Sequence, residues 1–208
     1  FKPLASQRSA GQTVMFNGKP HTIEAVSEEA FDGVDIVLAS AGGSISQEWA
    51  PIAVKKGATV IDNTSCFRLD DNVPLVVAGV NDEDVKWHQG IIANPNCSTA
   101  QLMPVLKTLN DAAGLERVIV STYQSVSGAG KDGMDELRQV SKKAIDEDGC
   151  NDHSCFNRPI GFNLIPHIDV FMDDEEVKDY TKEEVKLIKE TRKILHLPDL
   201  KMTATAVR

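Results

Sequence analysis

The sequence predicts an α/β chain, with a parallel, doubly wound sheet in its first half and an α+β arrangement in its second. Two short apolar runs, 34–39 and 58–62, flank a stretch with helical spacing at 45–56 and end in small or polar residues. That strand–helix–strand alternation with short turns is the pattern of parallel sheets. Farther on, the segments read mainly as helices, with few strand-like stretches and a polar loop between them, which reads as α+β.

In chain order, the run 34–39 reads as a buried strand that feeds the glycine turn Ser40-Ala41-Gly42-Gly43-Ser44. A helix follows over 45–56, with Gly57 as its stop. The second strand, 58–62, ends in Asn63-Thr64-Ser65, and 73–80 and 90–93 complete the β-rich set. In such sheets ligands collect at the carboxyl ends of strands. A helix begins near Cys97 and runs towards Gly114, with Pro104 inside it as a kink or an irregular turn. Residues 117–123 read as a strand, 132–145 as a helix and 146–158 as a polar loop. The clearest helix spans 181–195, where Leu187, Ile188, Thr191, Ile194 and Leu195 form one stripe with charges opposite. Residues 202–207 alternate as a strand. The domain boundary is placed at residue 97.

Composition narrows the function. The 208 residues are 41% hydrophobic and 25% charged, which excludes disorder and fibrous repeats and suffices for a sizeable core. A net charge of -9 offers no footprint for nucleic acid or anionic membrane, and no apolar run reaches membrane-spanning length. Four scattered cysteines make no disulfide scaffold. The expectation is a soluble, cytoplasmic protein. The chain starts at Phe1 without Met and stops at Arg208 straight after its last strand, so it reads as an internal segment.

Cys97 lies in Asn94-Pro95-Asn96-Cys97-Ser98-Thr99, between a predicted strand and a predicted helix. A helix N-terminus favours thiolate and offers N–H groups to an oxyanion. Position alone leaves open a second reading, a small buried hydrophobe.

The motif around Cys97 resembles the nucleophile motif of the aspartate-semialdehyde dehydrogenase family. Four more segments match in order: 4–11, similar to a loop for the 2′-phosphate of NADP; 62–68, similar to a phosphate-binding segment; 122–128; and 162–169. N-acetyl-glutamyl-phosphate reductases usually carry Gly before the cysteine and an aromatic residue after it, where this chain has Asn96 and Ser98. Ala78-Gly79-Val80-Asn81 and Cys66 depart from the family pattern.

The resemblance implies a partial Rossmann-like NADP-binding domain over 1–97, lacking its first strand and glycine-rich turn, and a truncated catalytic and dimerisation domain over 98–208. It implies Cys97 as nucleophile, Gln124 as orienting group, Glu183 for the substrate ammonium and Arg208 for its carboxylate. Arg suits that task because its planar fork binds carboxylate bidentately. Arg68 and Lys186 would hold phosphate; Arg8, Ser9, Ser40, Gly42, Gly43, Ser127 and Gly128 would meet NADP. Without the resemblance, Glu183 and Lys186 read as a solvated helix face, since Lys186 also has Glu190 four residues on.

The implied reaction is reversible, NADP-dependent reductive dephosphorylation of aspartyl phosphate to aspartate semialdehyde, towards lysine, methionine and threonine, in a homodimer. The rival reading is a silent relative serving as a dimerisation or binding module. Cys150, His153 and Cys155 lack metal-site spacing, so no metal is expected. His167 reads as structural and the run 173–176 as a solvated loop. The family's general-base histidine would lie beyond Arg208, so residues 1–208 alone are expected to show no turnover.

Overall fold

The computed structural model describes residues 1–146, 151–173 and 177–208, and it divides the chain after Pro95 into two units. The division falls two residues ahead of the boundary read from the sequence, so Cys97 belongs to the second unit. Cys150 and residues 174–176 lie outside the described residues.

The first unit begins with β1 (Leu4–Ala5), then the antiparallel hairpin β2 (Thr13–Phe16) and β3 (Lys19–Thr22), then β4 (Glu24–Ala25), parallel to β1. Asn17 and Gly18 turn the hairpin at φ 48° and 74°, the left-handed pair that matches strand twist. This hairpin was missed in the sequence, although Asn-Gly straight after the run Val14-Met15-Phe16 is a direct signal for a tight turn.

A three-stranded parallel sheet follows, in the order β5 (Ile36–Ala39), β6 (Thr59–Asp62), β7 (Ile91–Ala93). Helix α1 (Gly43–Lys55) crosses from β5 to β6. It ends where the sequence predicted: Gly57, at φ 96°, donates to Val54 O, and Ala58 donates to Ala53 O. Both bonds satisfy last-turn carbonyls, and the left-handed backbone explains the glycine. Phe31, Ala50, Ala53, Ala58 and Val60 form the buried core. The expected strand at 73–80 is absent; Leu75 makes only an isolated bridge to Ala93. Pro74 supplies no N–H to a ladder, which explains the interruption.

The second unit opens with α2 (Cys97–Ala113) and β8 (Arg117–Tyr123), then α3 (Gly130–Asp146), α4 (Lys182–Ile194) and β9 (Lys201–Val207). β9 runs parallel to β8, from Arg117 beside Lys201 to Tyr123 beside Val207. Met202, Ala204 and Ala206 are buried while Thr203 and Thr205 are exposed, as the alternation required. The whole predicted stripe of α4 is buried; each such aliphatic side chain is worth about 1.5–3 kcal/mol. The charges are not all opposite it, however, for Glu183, Glu184 and Glu190 are buried too. Glu184 closes a capping box with Thr181 and accepts Ala206 N–H at 2.9 Å, which explains its burial. Among the described residues, no helix is long and apolar enough to cross a membrane.

Candidate active site

In the first unit, the carboxyl ends of the three parallel strands are tied by side chains. Asn94 Nδ2 donates to Asn63 Oδ1 at 2.7 Å, and Asn63 Nδ2 donates to Ser40 Oγ at 3.3 Å. Buried Asp62 accepts Ser46 Oγ at 2.8 Å and both the N–H and hydroxyl of Thr64. Arg68, 8% exposed, donates from Nε to Asn94 O at 2.8 Å and from a terminal nitrogen to Asn63 O at 3.0 Å. Its guanidinium therefore braces the ends of β6 and β7. Cys66 is half-buried, and burial followed by Asp62 and Asp70 pushes its thiol up, away from reactive thiolate.

A mainly apolar cavity of about 610 Å³ opens beside Ser6, Ala39, Ser40, Ala41 and Ile45, at the carboxyl ends of β1 and β5. Gly42, at φ 114°, carries the chain from this rim into α1 and offers no side-chain cap. The N–H groups of Gly43, Ser44 and Ile45 in that first turn are thus open to an anion, and a glycine pair keeps the approach clear. Arg8 is exposed and Ser9 half-buried in the turn after β1. A slot at strand ends beside an uncapped helix start suits a dinucleotide.

The second unit holds the predicted nucleophile. Cys97 is exposed at the first position of α2, on a cavity of about 750 Å³ also lined by Ser98, Gln101, Thr122, Gln124 and Ser127. Asn96 caps the helix: its Oδ1 accepts Ser98 N–H at 2.8 Å, and its Nδ2 donates to Glu183 Oε1 at 3.0 Å. Gln124 donates to the same Glu183 oxygen at 3.4 Å and accepts from Arg208 at 3.4 Å. Lys186 contacts Glu183 Oε2 at 3.2 Å and Asp169 Oδ2 at 3.1 Å. Gln124, Glu183, Lys186 and Arg208 therefore share one polar network with the residue preceding Cys97. Arg208 Nε is buried without a hydrogen-bond partner, and a side chain at Gly128 would come within 2.6 Å of the guanidinium.

This corrects the reading of Glu183 and Lys186 as a solvated face, since Glu183 is 8% exposed. Three residues were not singled out. Asn96 was legible, as Asn is a preferred N-cap. Asp169, at φ 70°, reaches Lys186 through a left-handed backbone. Glu190, 1% exposed, accepts Asn96 N–H at 2.7 Å rather than pairing with Lys186. His167 packs against Phe171 and contacts Asn157. Among the described residues no His, Cys, Asp and Glu group could hold a metal.

A parallel α/β unit with a nucleotide-type slot, followed by an α+β unit presenting a cysteine at a helix start, defines a two-domain dehydrogenase architecture. Comparison with known proteins makes the class specific. Residues 1–88 match the semialdehyde dehydrogenase NAD-binding domain, and residues 106–208 match the semialdehyde dehydrogenase dimerisation domain. The chain belongs to the semialdehyde dehydrogenase family and carries both its NAD(P)-binding and its dimerisation domain. It is 50% identical over 215 residues to aspartate-semialdehyde dehydrogenase of Bacillus subtilis and 51% identical over 214 residues to that of Campylobacter jejuni, covering 99% of this chain in each case. A crystal structure of aspartate semialdehyde dehydrogenase II from Vibrio cholerae superposes with a TM-score of 0.91 at 49% identity, over 99% of this chain and 60% of that one. A second structure of that enzyme, complexed with ASA, gives 0.90 at 48% identity over the same shares. The chain spans about 60% of the length of these relatives.

Proposed function

We propose that this chain is part of an NADP-linked aspartate-semialdehyde dehydrogenase, which interconverts aspartyl phosphate and aspartate semialdehyde through a thioester on Cys97. The observation that carries the reading is Cys97 at the open start of α2, with Gln124, Glu183 and Arg208 in one network beside it. The named relatives at about half identity support the same reaction.

The chemistry NADP supplies when bound is hydride acceptance. In the oxidative direction Cys97 Sγ adds to the aldehyde carbon, and the positive end of the α2 dipole favours both the thiolate and the oxygen that gains charge. After oxidation the acyl group remains joined to Sγ as a thioester. A phosphate oxygen then attacks the acyl carbon, the C–S bond breaks, and the thiolate is regenerated as acyl phosphate leaves.

Glu183 offers its carboxylate to the substrate ammonium, and Arg208 offers a guanidinium whose Nε has no protein partner. Gln124 lies between them and orients the acyl group. Lys186 and Arg68 are the cations for phosphate, Lys186 the more accessible. Arg8 and Ser9 favour NADP over NAD, and Ser40 at the rim of the slot, with Gly42, Gly43, Ser127 and Gly128, completes the proposed set of cofactor contacts. The unpaired thiols of Cys66, Cys97 and Cys155 suit a reducing, cytoplasmic setting, and the dimerisation domain suits a homodimer in amino-acid biosynthesis.

The test uses the full-length protein. NADPH formation from aspartate semialdehyde should require phosphate and should vanish on Cys97→Ala. Turnover without phosphate, or with NAD preferred, overturns the corresponding part of the assignment.

A further inference from the structure

Helix α2 lacks half of a normal N-terminal cap. Asn96 covers the N–H of Ser98, but the N–H of Asn96 itself points back out of the helix. In a capping box a Glu or Gln at the third helical position answers that N–H from within the same helix. α4 has this arrangement, in which Glu184 accepts from Thr181 N–H at 2.7 Å. In α2 the third position is Thr99, too short to reach back, and its hydroxyl is buried without a partner. The acceptor comes instead from α4: Glu190 Oε2 receives Asn96 N–H at 2.7 Å, across 94 residues of sequence.

We propose that Glu190 is a positioning residue for Cys97, completing the cap of α2 from a neighbouring helix. The proposal rests on Cys97 being the nucleophile. Glu190 is 1% exposed, so its carboxylate gives up solvation and is offset by hydrogen bonding. It grips main chain one residue ahead of Cys97, whose Cα follows at about 3.8 Å. The side chain of Asn96 is already committed to Ser98 and Glu183, so the bond from Glu190 fixes the backbone that those contacts leave to turn. Thr99 is fully buried and does not line the cavity that Cys97 and Ser98 line, so the carboxylate closing this cap is supplied from α4, through the main chain just ahead of Cys97.

The experiment alkylates the full-length protein with iodoacetamide near neutral pH and reads Cys97 and Cys155 peptides separately, alongside steady-state kinetics. Glu190→Gln keeps an acceptor of equal reach, Glu190→Met removes it, and Glu190→Asp keeps the charge but draws it back by about 1.5 Å. Glu190→Met and Glu190→Asp should each lower the ratio of Cys97 to Cys155 labelling about tenfold. Both should lower kcat with KM unchanged, and Glu190→Gln should restore both readouts. If Glu190→Met does not fold, the Asp and Gln variants decide the matter by the same criterion. Wild-type labelling ratios in Glu190→Asp overturn the proposal while leaving the nucleophile intact. Cys97 labelling no faster than Cys155 in the unsubstituted protein overturns the nucleophile, and the positioning role with it.

Discussion

The side-chain amide of Asn96 donates to Glu183 Oε1 at 3.0 Å, joining residues 87 positions apart in sequence. One end of that amide caps α2 and the other meets the carboxylate proposed to bind the substrate ammonium, so a single side chain couples the start of the helix that carries Cys97 to the proposed substrate site. Asn is the residue type that accepts at one end and donates at the other. Asn96→Asp would keep the cap but set a second carboxylate against buried Glu183. A destabilisation of about 1–3 kcal/mol is expected, measured by denaturant unfolding. Asn96→Ser should be milder, because it keeps a cap acceptor without the repulsion. Equal stability of the two variants would contradict the coupling.

Gly128 tests the place of Arg208. Its backbone is not in the left-handed region, so alanine brings no strain of its own, but the added carbon would lie 2.6 Å from a guanidinium nitrogen. The flexible side chain can move away, and stability should change by less than about 1 kcal/mol. The expected cost is in binding. KM for aspartate semialdehyde should rise several-fold in Gly128→Ala as Arg208 leaves Gln124. An unchanged substrate KM would remove Arg208 from carboxylate recognition.

Lys186 is held between two carboxylates, Asp169 at 3.1 Å and Glu183 at 3.2 Å. In the phosphate-binding role proposed for Lys186, phosphate would compete with Asp169 for the ammonium. Burial alone would raise the Asp169 carboxyl, but the Val170 N–H and Lys186 hold it below its usual range, so it stays charged near neutrality. Asp169→Asn should relieve the competition and lower KM for phosphate. The left-handed backbone at φ 70° tolerates Asn well, so the fold should be spared. Phosphate titrations of both proteins check this, and an increase in KM would show that Asp169 orients Lys186 instead.

Where local pattern decides structure, the sequence was legible. Gly57 ends α1 because only a left-handed residue closes that turn, and α4 buries the stripe its period defines. The strand expected at 73–80 failed through one residue, Pro74, whose missing ladder donor outweighed its apolar neighbours. Glu190 was illegible for a different reason. Beside Lys186 at helical spacing it reads as a surface partner, yet its carboxylate is buried and meets the N–H of Asn96, 94 residues away. Partners that distant leave no trace in a local pattern.

Glu136 predicts an acid-sensitive step in the second unit, outside the site. Its carboxylate on α3 accepts Ser154 N–H and Ser154 Oγ, each at 2.8 Å, and also Cys155 N–H. Burial would raise its pKa, but hydrogen bonds from Cys155, Ser154 and Phe156 outweigh it and hold the carboxyl below the ordinary 4.5. The sign follows from linkage. A folded-state value below the unfolded one gives stability that is fully present above the unfolded value and is lost as pH falls through the folded one. The amide shifts of Ser154 and Cys155 should therefore titrate together at a pH below 4.5, ahead of global unfolding. Glu136→Gln should abolish that titration and cost about 1–3 kcal/mol, since one neutral acceptor replaces a carboxylate. Ser154 and Cys155 amides that keep constant shifts down to the unfolding pH would show that Glu136 does not anchor this segment.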